Sequence, residues 1–339
     1  MNYSQRVEVL TYLGDIFKEI DQTHPVLYKA QVQNAWFTIP NQVQALHHWG
    51  SLLEKEHIEN WLQEYPISTD SIDKTVAIIM AGNIPLVGLH DLICAFACGY
   101  KIIVKPSSDD TILIEWVIEL MIQKDPNIAN QISIVKDKKL SGFDSVIATG
   151  SNNSFRYFEY YFKDKHCLLR KNRNSIAILS GNETEQDLEL LSDDILSYFG
   201  LGCRNVSKVL IPEGFDIKIL IQKLEKYNTY IHHHKFANNY TYHKAIFLLN
   251  LNEHLDAGFL IIKQDEKNAA PIGVLFYDVY NDLETVKSYL TKHKEALQCI
   301  VTHFPIAGAI PFGSTQKPGL AVYADGIDTI DFLCKQVVS

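Results

Sequence analysis

The residues best placed to do chemistry lie in Ser197-Tyr-Phe-Gly-Leu-Gly-Cys-Arg-Asn-Val-Ser-Lys208, where Cys203 sits on a glycine-flanked turn. A cysteine so placed is a candidate nucleophile. Its thiolate attacks an acyl carbon, and the backbone N–H groups of a turn stabilise first the thiolate and then an oxyanion. Gly200 and Gly202 let the chain turn sharply and an acyl group approach closely. The competing reading is a thiol buried for packing, the commoner fate of a cysteine. Two elements must position this turn. Leu188, Leu191, Ile195, Leu196 and Phe199 recur at helical spacing before it, and Val209-Leu-Ile-Pro212 reads as a short buried strand after it.

Three more stretches carry chemistry. In Met80-Ala-Gly-Asn-Ile-Pro-Leu-Val-Gly88 a strand ends and a helix is expected to begin close to Pro85, so Asn83 either offers an amide to a developing oxyanion or caps the helix. In Lys101-Ile-Ile-Val-Lys-Pro-Ser-Ser108, Lys105 emerges at the carboxyl end of a strand, where open α/β sheets bind ligands; the alternative is a solvated surface lysine. In Ala148-Thr-Gly-Ser151, a strand-to-helix turn at Gly150 and Ser151 leaves N–H groups aimed at a phosphate.

The elements around these stretches alternate. Residues 1–70 show helical patterning, with Val9, Leu10, Leu13, Ile16, Phe17 and Ile20 on one face. Strands are expected at Thr75–Met80, Lys101–Val104, Ile132–Val135 and Ser145–Ala148, with helices over Pro85–Cys98, stopped by Gly99, and Thr111–Gln123. Short apolar strands alternating with helices imply parallel pairing and right-handed crossovers, hence an α/β nucleotide-binding layer. Further strands are expected at Ile176–Leu179, Lys208–Ile211, Ala245–Leu249, Phe259–Ile262 and Gly273–Phe276.

Composition bounds the function. The 339 residues, 47% apolar and 21% charged, leave room for about two globular domains. A net charge of -9 and the lack of a sustained basic patch argue against nucleic-acid binding. No apolar run reaches the length of a membrane span and Met1-Asn-Tyr-Ser-Gln-Arg6 lacks a signal-peptide core, so a cytoplasmic location is expected. The six cysteines lack the density of a disulfide framework and read as thiols. His232-His-His234 with His243 invites a metal reading, but consecutive residues of an extended segment alternate faces, and no metal site is expected. Cys94 and Cys98, on one helix face, read as packing residues.

In this order and at these distances, the four stretches resemble the aldehyde dehydrogenase superfamily, with its oxyanion-turn Asn, its Lys-Pro-Ser turn for the adenosine ribose, its Thr-Gly-Ser phosphate turn and its Gly-x-x-Cys nucleophile. Arg-Lys-Asn-Arg-Asn-Ser175, Asn83-Ile-Pro and Gly-Leu-Gly-Cys-Arg-Asn-Val-Ser207 look like the LuxC-type acyl-CoA reductases, the fatty-acid reductase component of bacterial luminescence and its relatives. The resemblance covers roughly residues 75–320. It implies an aldehyde-dehydrogenase-like α/β fold: an N-terminal helical region (1–70), a Rossmann-type NAD(P)-binding domain (71–170) and an α/β catalytic domain (171–339) whose C-terminal loop and helix return toward the site.

The resemblance also implies chemistry. Aldehyde-oxidising relatives have a hydrolytic glutamate where this chain has Leu169, so an acyl-enzyme would not be hydrolysed here. Cys203 is then the nucleophile and Asn83 an oxyanion donor, with Lys105, Ser107, Ser108, Gly150 and Ser151 binding the dinucleotide. The reaction implied is reduction of an acyl-CoA thioester to the aldehyde. Ser108 stands where NAD-preferring relatives often have glutamate, which points to NADPH (NADP), although Asp109 and Asp110 follow at once. Phe155 replaces the second glycine of the phosphate turn, and Ala270-Pro-Ile-Gly273 lacks the glutamate that steadies the nicotinamide ribose in relatives. The Pro/Gly-rich segment Ala309–Leu320 reads as a loop bordering the site. Expected partners are the acyl-CoA or an acyl carrier protein, an acyl-activating ligase and further copies of the chain. Two other readings stay open: an acyl-phosphate reductase, and an acyl-transfer module without hydride transfer.

Overall fold

Leu10, Leu13 and Phe17 have no exposed surface. They form the buried stripe of α1 (Tyr3–Glu19), which starts in a capping box between Asn2 and Gln5. In the computed structural model, which describes residues 1–136 and 139–335, α2 (Pro25–Gln33), α3 (Ile39–Leu52) and α4 (Lys55–Leu62) complete an N-terminal helical region. Two compact units follow from the contacts: Met1–Asn172 together with the chain from Gly319 onward, and Arg173–Pro318.

In the first unit, β1 (Thr75–Ile79), β2 (Lys101–Lys105), β3 (Ile132–Ile134), β4 (Ser145–Thr149) and β5 (His166–Arg170) form one sheet. Its order is β3-β2-β1-β4-β5, and every pair is parallel. Val76, Ala77 and Ile78 at the centre are wholly buried, as a strand covered on both faces requires. The crossovers are α5 (Leu89–Ala97), α6 (Thr111–Lys124) and α7 (Asn152–Tyr161). The expected helix from Pro85 begins only at Leu89, because Pro85–Gly88 form a turn in which Leu86 takes a left-handed φ of 58°. Gly99, at φ 83°, ends that helix as expected. β5 was not anticipated.

The second unit begins with β6 (Asn174–Ile178), α8 (Glu185–Leu196) and β7 (Val206–Pro212). It continues through α9 (Lys218–Leu224), α10 (His234–Leu249), β8 (Leu255–Asp256), β9 (Ile261–Gln264), β10 (Val274–Tyr280), α11 (Leu283–His293) and β11 (Leu297–Val301). Its sheet has the order β11-β6-β7-β10-β9-β8, parallel except for the β8–β9 pair. The strand expected at Ala245–Leu249 is instead the end of α10. Phe236 and Tyr240 set that helix's buried face at i, i+4 spacing, and a short apolar run continuing such a helix looks like a strand when read alone. His232–His234 are not extended either: His232 ends a 3-10 segment, and the His233 side chain caps α10 by accepting from Phe236 N–H.

The chain then returns to the first unit as α12 (Thr329–Lys335). The Arg170 guanidinium, buried at the end of β5, donates to the Asp91 carboxylate of α5 and to Thr329 Oγ1. Tyr100 donates to the Leu333 carbonyl at 2.8 Å. Among the described residues no helix is long and apolar enough to cross a membrane.

Candidate active site

In the second unit α8 ends at Leu196, and three residues then take left-handed dihedrals in succession: Tyr198 (φ 52°), Phe199 (φ 61°) and Gly200 (φ 74°). For the two side-chain-bearing residues this costs on the order of 1–2 kcal/mol each, so something must hold the turn. One clamp is Asn205. Its side-chain oxygen accepts from Gly202 N–H at 2.8 Å, while its amide donates to the carbonyls of Asp194 (3.1 Å), Ile195 (3.3 Å) and Ser197 (2.9 Å). The other clamp is aromatic: Phe199 packs on Tyr230 and His233 with ring centroids 4.2 and 4.6 Å away.

Cys203 lies half-buried between these clamps and β7. Its carbonyl accepts from Ser175 Oγ at 3.0 Å, and Ser175 Oγ in turn accepts from Cys299 N–H at 3.0 Å, which ties the turn to β6 and β11. The loop expected to border the site is bonded directly to this turn. Arg204 Nε donates to the Thr315 carbonyl. The Asp194 carboxylate accepts from Gly313 N–H at 2.6 Å, Thr315 N–H at 3.0 Å and Thr315 Oγ1 at 2.8 Å. Burial pushes the Asp194 carboxyl up, and these three donors pull it back. Phe199 and Gly200 also line a small cavity of about 20 Å³ together with Ala270–Val274, so the Cys203 turn and the glutamate-lacking segment meet.

Of the remaining cysteines, Cys299 lies on β11 beside the turn, with its N–H on Ser175 Oγ, and the others stand elsewhere. Cys94, Cys98, Cys299 and Cys334 are buried, and burial pushes the Cys94 and Cys299 thiols up. Cys167 lies in β5, raised likewise by burial. Cys203 alone sits on a glycine-flanked turn.

In the first unit the turns that follow β1, β2 and β4 all lie at the carboxyl edge of one parallel sheet. The strand order reverses between β1 and β4, the kind of switch point where open α/β sheets bind ligands. Asn83 is exposed on the turn after β1. It does not cap α5, whose N-cap position is Gly88. Lys105 is the last residue of β2, with Ser107 half-buried and Ser108 exposed beyond it. The N-terminal helices hold this turn: Gln33 Nε2 donates to the Ser108 carbonyl at 2.8 Å and Asn34 Nδ2 to the Asp109 carbonyl at 3.4 Å. A Cβ on Gly82 would stand 2.5 Å from Ser107 Cβ, so the two turns touch through a position only glycine fits.

Gly150 is equally constrained, since a Cβ there would lie 2.9 Å from Ser154 Cβ and 3.0 Å from Phe158 Cε2. Ser151 caps α7 by accepting from Ser154 N–H at 3.2 Å. Phe155 is buried with Lys171 Nζ 4.3 Å from its ring centroid, and Leu169 is half-buried on β5, paired with Ala148.

Thus Asn83, Lys105, Ser107, Ser108, Gly150 and Ser151 share one sheet edge of the first unit, and Cys203 belongs to the second. Sequence reasoning assigned no role to Asn205, Asp194 or Thr315. Asn205 left a signal, an Asx residue within reach of two turn glycines.

The fold is that of the aldehyde dehydrogenases. Aldehyde dehydrogenase 21 of Physcomitrella patens, in complex with succinate, superposes with a TM-score of 0.74 at 12% identity, covering 99% of this chain and 84% of that one. The indole-3-acetaldehyde dehydrogenase of P. syringae, in complex with NAD+ and IAA, gives 0.66 at 13% identity over 91% of this chain and 74% of that one. An NADP-dependent enzyme of E. coli gives 0.69 at 13% identity over 91% and 74%. No curated protein matches the chain in sequence. The profile of the acyl-CoA reductase (LuxC) family matches residues 18–243, and the chain belongs to that family. It is an oxidoreductase.

Proposed function

We propose that the chain reduces an acyl-CoA, in particular a fatty acyl-CoA, to the aldehyde through a thioester on Cys203, with NADPH as reductant. The observation that carries this reading is the nucleophile turn: three left-handed residues and the Asn205 clamp present Cys203 between a helix end and a central strand.

The first unit has residues suited to a dinucleotide. Gly150 packs closely against Ser154 and Phe158, and the start of α7, with Ser151 at its N-cap, is the proposed place for the pyrophosphate. Lys105, Ser107 and Ser108 are the residues to hold the adenosine ribose. Of the two aspartates that follow, Asp110 turns inward to Leu86 N–H, and burial holds its carboxyl well above the carboxylate range. Asp109 is then the exposed carboxylate of the pair, which lessens the repulsion a 2′-phosphate would meet. When bound, the dinucleotide would supply a hydride to the acyl carbon; the thiohemiacetal left on Cys203 would then collapse, its C–S electron pair returning to the Cys203 thiolate as the aldehyde leaves.

The chain's own residues do the rest. The Cys203 thiolate adds to the thioester carbonyl; the bond to the CoA sulfur breaks with its electron pair, so CoA departs as a thiolate and no strong general acid is needed. Asn83 and the backbone N–H of Cys203 are the proposed donors to the oxyanion. Leu169 offers no base to activate water, so the acyl-enzyme is kept for reduction. An acyl carrier protein or an acyl-activating ligase delivering the acyl group is compatible with the same chemistry.

The test is NADPH oxidation by the purified protein over acyl-CoAs of increasing chain length, with the aldehyde trapped. Consumption matched by aldehyde and lost in Cys203→Ala supports the reading. Turnover of acyl phosphate but of no acyl-CoA would replace the substrate class, and aldehyde formation by Cys203→Ala would sink the mechanism.

A further inference from the structure

Asp110 occupies the N-cap position of α6, yet its side chain makes no capping bond to that helix. An aspartate there ordinarily accepts from the helix's own first N–H groups. This one turns away: Oδ2 accepts from Leu86 N–H at 2.7 Å, across from the turn after β2 to the turn after β1. The residue is 2% exposed, and among the described residues Oδ1 is buried without a hydrogen-bond partner. α6 gains nothing from this arrangement, and a buried, half-satisfied carboxyl is costly. The segment it holds is Pro85–Gly88, where Leu86 takes a left-handed φ of 58° three residues after Asn83. Beside that bond, Gly82 lies against Ser107 and Asp110, with a would-be Cβ 2.5 Å from Ser107 Cβ and 3.3 Å from Asp110 Cβ.

We infer that Asp110 is a positioning residue for the Asn83 turn: by fixing Leu86 it locks that turn onto the Lys105–Ser108 turn, so the two form one body at the sheet edge. The consequence for catalysis rests on the proposed role of Asn83. The lock itself does not. Asparagine at 110 keeps an oxygen for Leu86 N–H, whereas alanine leaves that N–H unpaired in the interior.

The experiment compares hydrogen–deuterium exchange and steady-state kinetics of the full chain as wild type, Asp110→Ala, Asp110→Asn, Asn83→Ala and the double variant with alanine at both positions. In Asp110→Ala the peptide covering 81–88 exchanges faster while peptides of α6 do not, and Asp110→Asn restores the wild-type pattern. The kcat of Asp110→Ala falls about 10- to 100-fold, as expected for a displaced catalytic group, with the KM for NADPH little changed, and Asp110→Asn recovers most of the loss. In the Asn83→Ala background, Asp110→Ala adds little further loss.

Faster exchange confined to α6, faster exchange spread over the whole unit, or unchanged exchange at 81–88 would each overturn the inference, as would losses that simply add. Full activity of Asn83→Ala would instead remove the oxyanion reading, and the exchange pattern would still decide whether Asp110 holds the turn.

Discussion

The side-chain oxygen of Asn205 accepts the N–H of Gly202, the residue preceding Cys203, at 2.8 Å. Because the amide end of the same side chain donates to three carbonyls at the end of α8, one residue ties the helix terminus to the Cys203 turn. Removing it leaves those buried carbonyls and one N–H without this partner. Asn205→Ala should therefore cost about 2–4 kcal/mol of stability and slow aldehyde formation at least about tenfold. Asn205→Asp keeps the acceptor for Gly202 but sets a carboxylate against three carbonyl oxygens, so it should be no more stable than the alanine variant. Urea unfolding and the rate of Cys203 alkylation check both; an aspartate variant as stable as wild type would contradict the clamp.

Gly82 is the point where the Asn83 turn touches Ser107. Both neighbouring atoms belong to a short side chain, so an added Cβ has to push the turns apart. Gly82→Ala should raise the KM for NADPH and lower kcat together, with a stability loss of about 1–3 kcal/mol typical of overpacking. A variant with wild-type kinetics would show that the spacing of the two turns does not matter.

Ser108 is exposed at the tip of the turn proposed to hold the ribose. A glutamate there would repel a 2′-phosphate and accept from ribose hydroxyls. Ser108→Glu should shift the ratio of kcat/KM from NADPH toward NADH by about tenfold or more, read in parallel assays with the two dinucleotides. An unchanged ratio would detach Ser108 from cofactor choice.

The Asp110 carboxyl, raised by burial well above its ordinary 3.8, makes stability depend on pH. Below about pH 3.8 the group is protonated in both folded and unfolded chains, and its contribution is fully present. As pH rises the unfolded chain ionises first, so the folded state loses this contribution until the pH passes the folded-state value. Asp110→Asn cannot ionise. Its stability advantage over wild type should therefore grow as the pH rises from about 4 toward neutrality, measured by unfolding at each pH, with about 1.4 kcal/mol for each unit separating folded and unfolded values. A difference independent of pH would mean that the buried carboxyl is not raised.

Much of this architecture is legible in the residues. The alternation of apolar strands and helices from Thr75 to Ala148 announces a parallel sheet, and Gly150 and Lys105 mark the ends of its strands. The helix at Ala245–Leu249 reads as a strand in sequence because five apolar residues in a row carry no period; the register comes from Phe236 and Tyr240, a turn or more upstream. The start of α5 reads too early in sequence because proline suits a first helical turn. What delays it is Asp110, over 20 residues further on, holding Leu86 in a left-handed conformation. Asn205 and Asp194 act through contacts formed only when α8, the Cys203 turn and the loop at Gly313–Thr315 come together. Such roles belong to tertiary structure, and no spacing encodes them.

The central claim is that an acyl group passes onto Cys203. It is tested most directly by mixing the protein with a long-chain acyl-CoA in the absence of any dinucleotide, and following CoA release and the mass of the cysteine-containing peptides. The account predicts one acyl group per chain, carried by the peptide containing Cys203, released as aldehyde on addition of NADPH, and absent from Cys203→Ala. Acylation at Cys167 or another thiol, or none at Cys203 under conditions where aldehyde still forms, would contradict it.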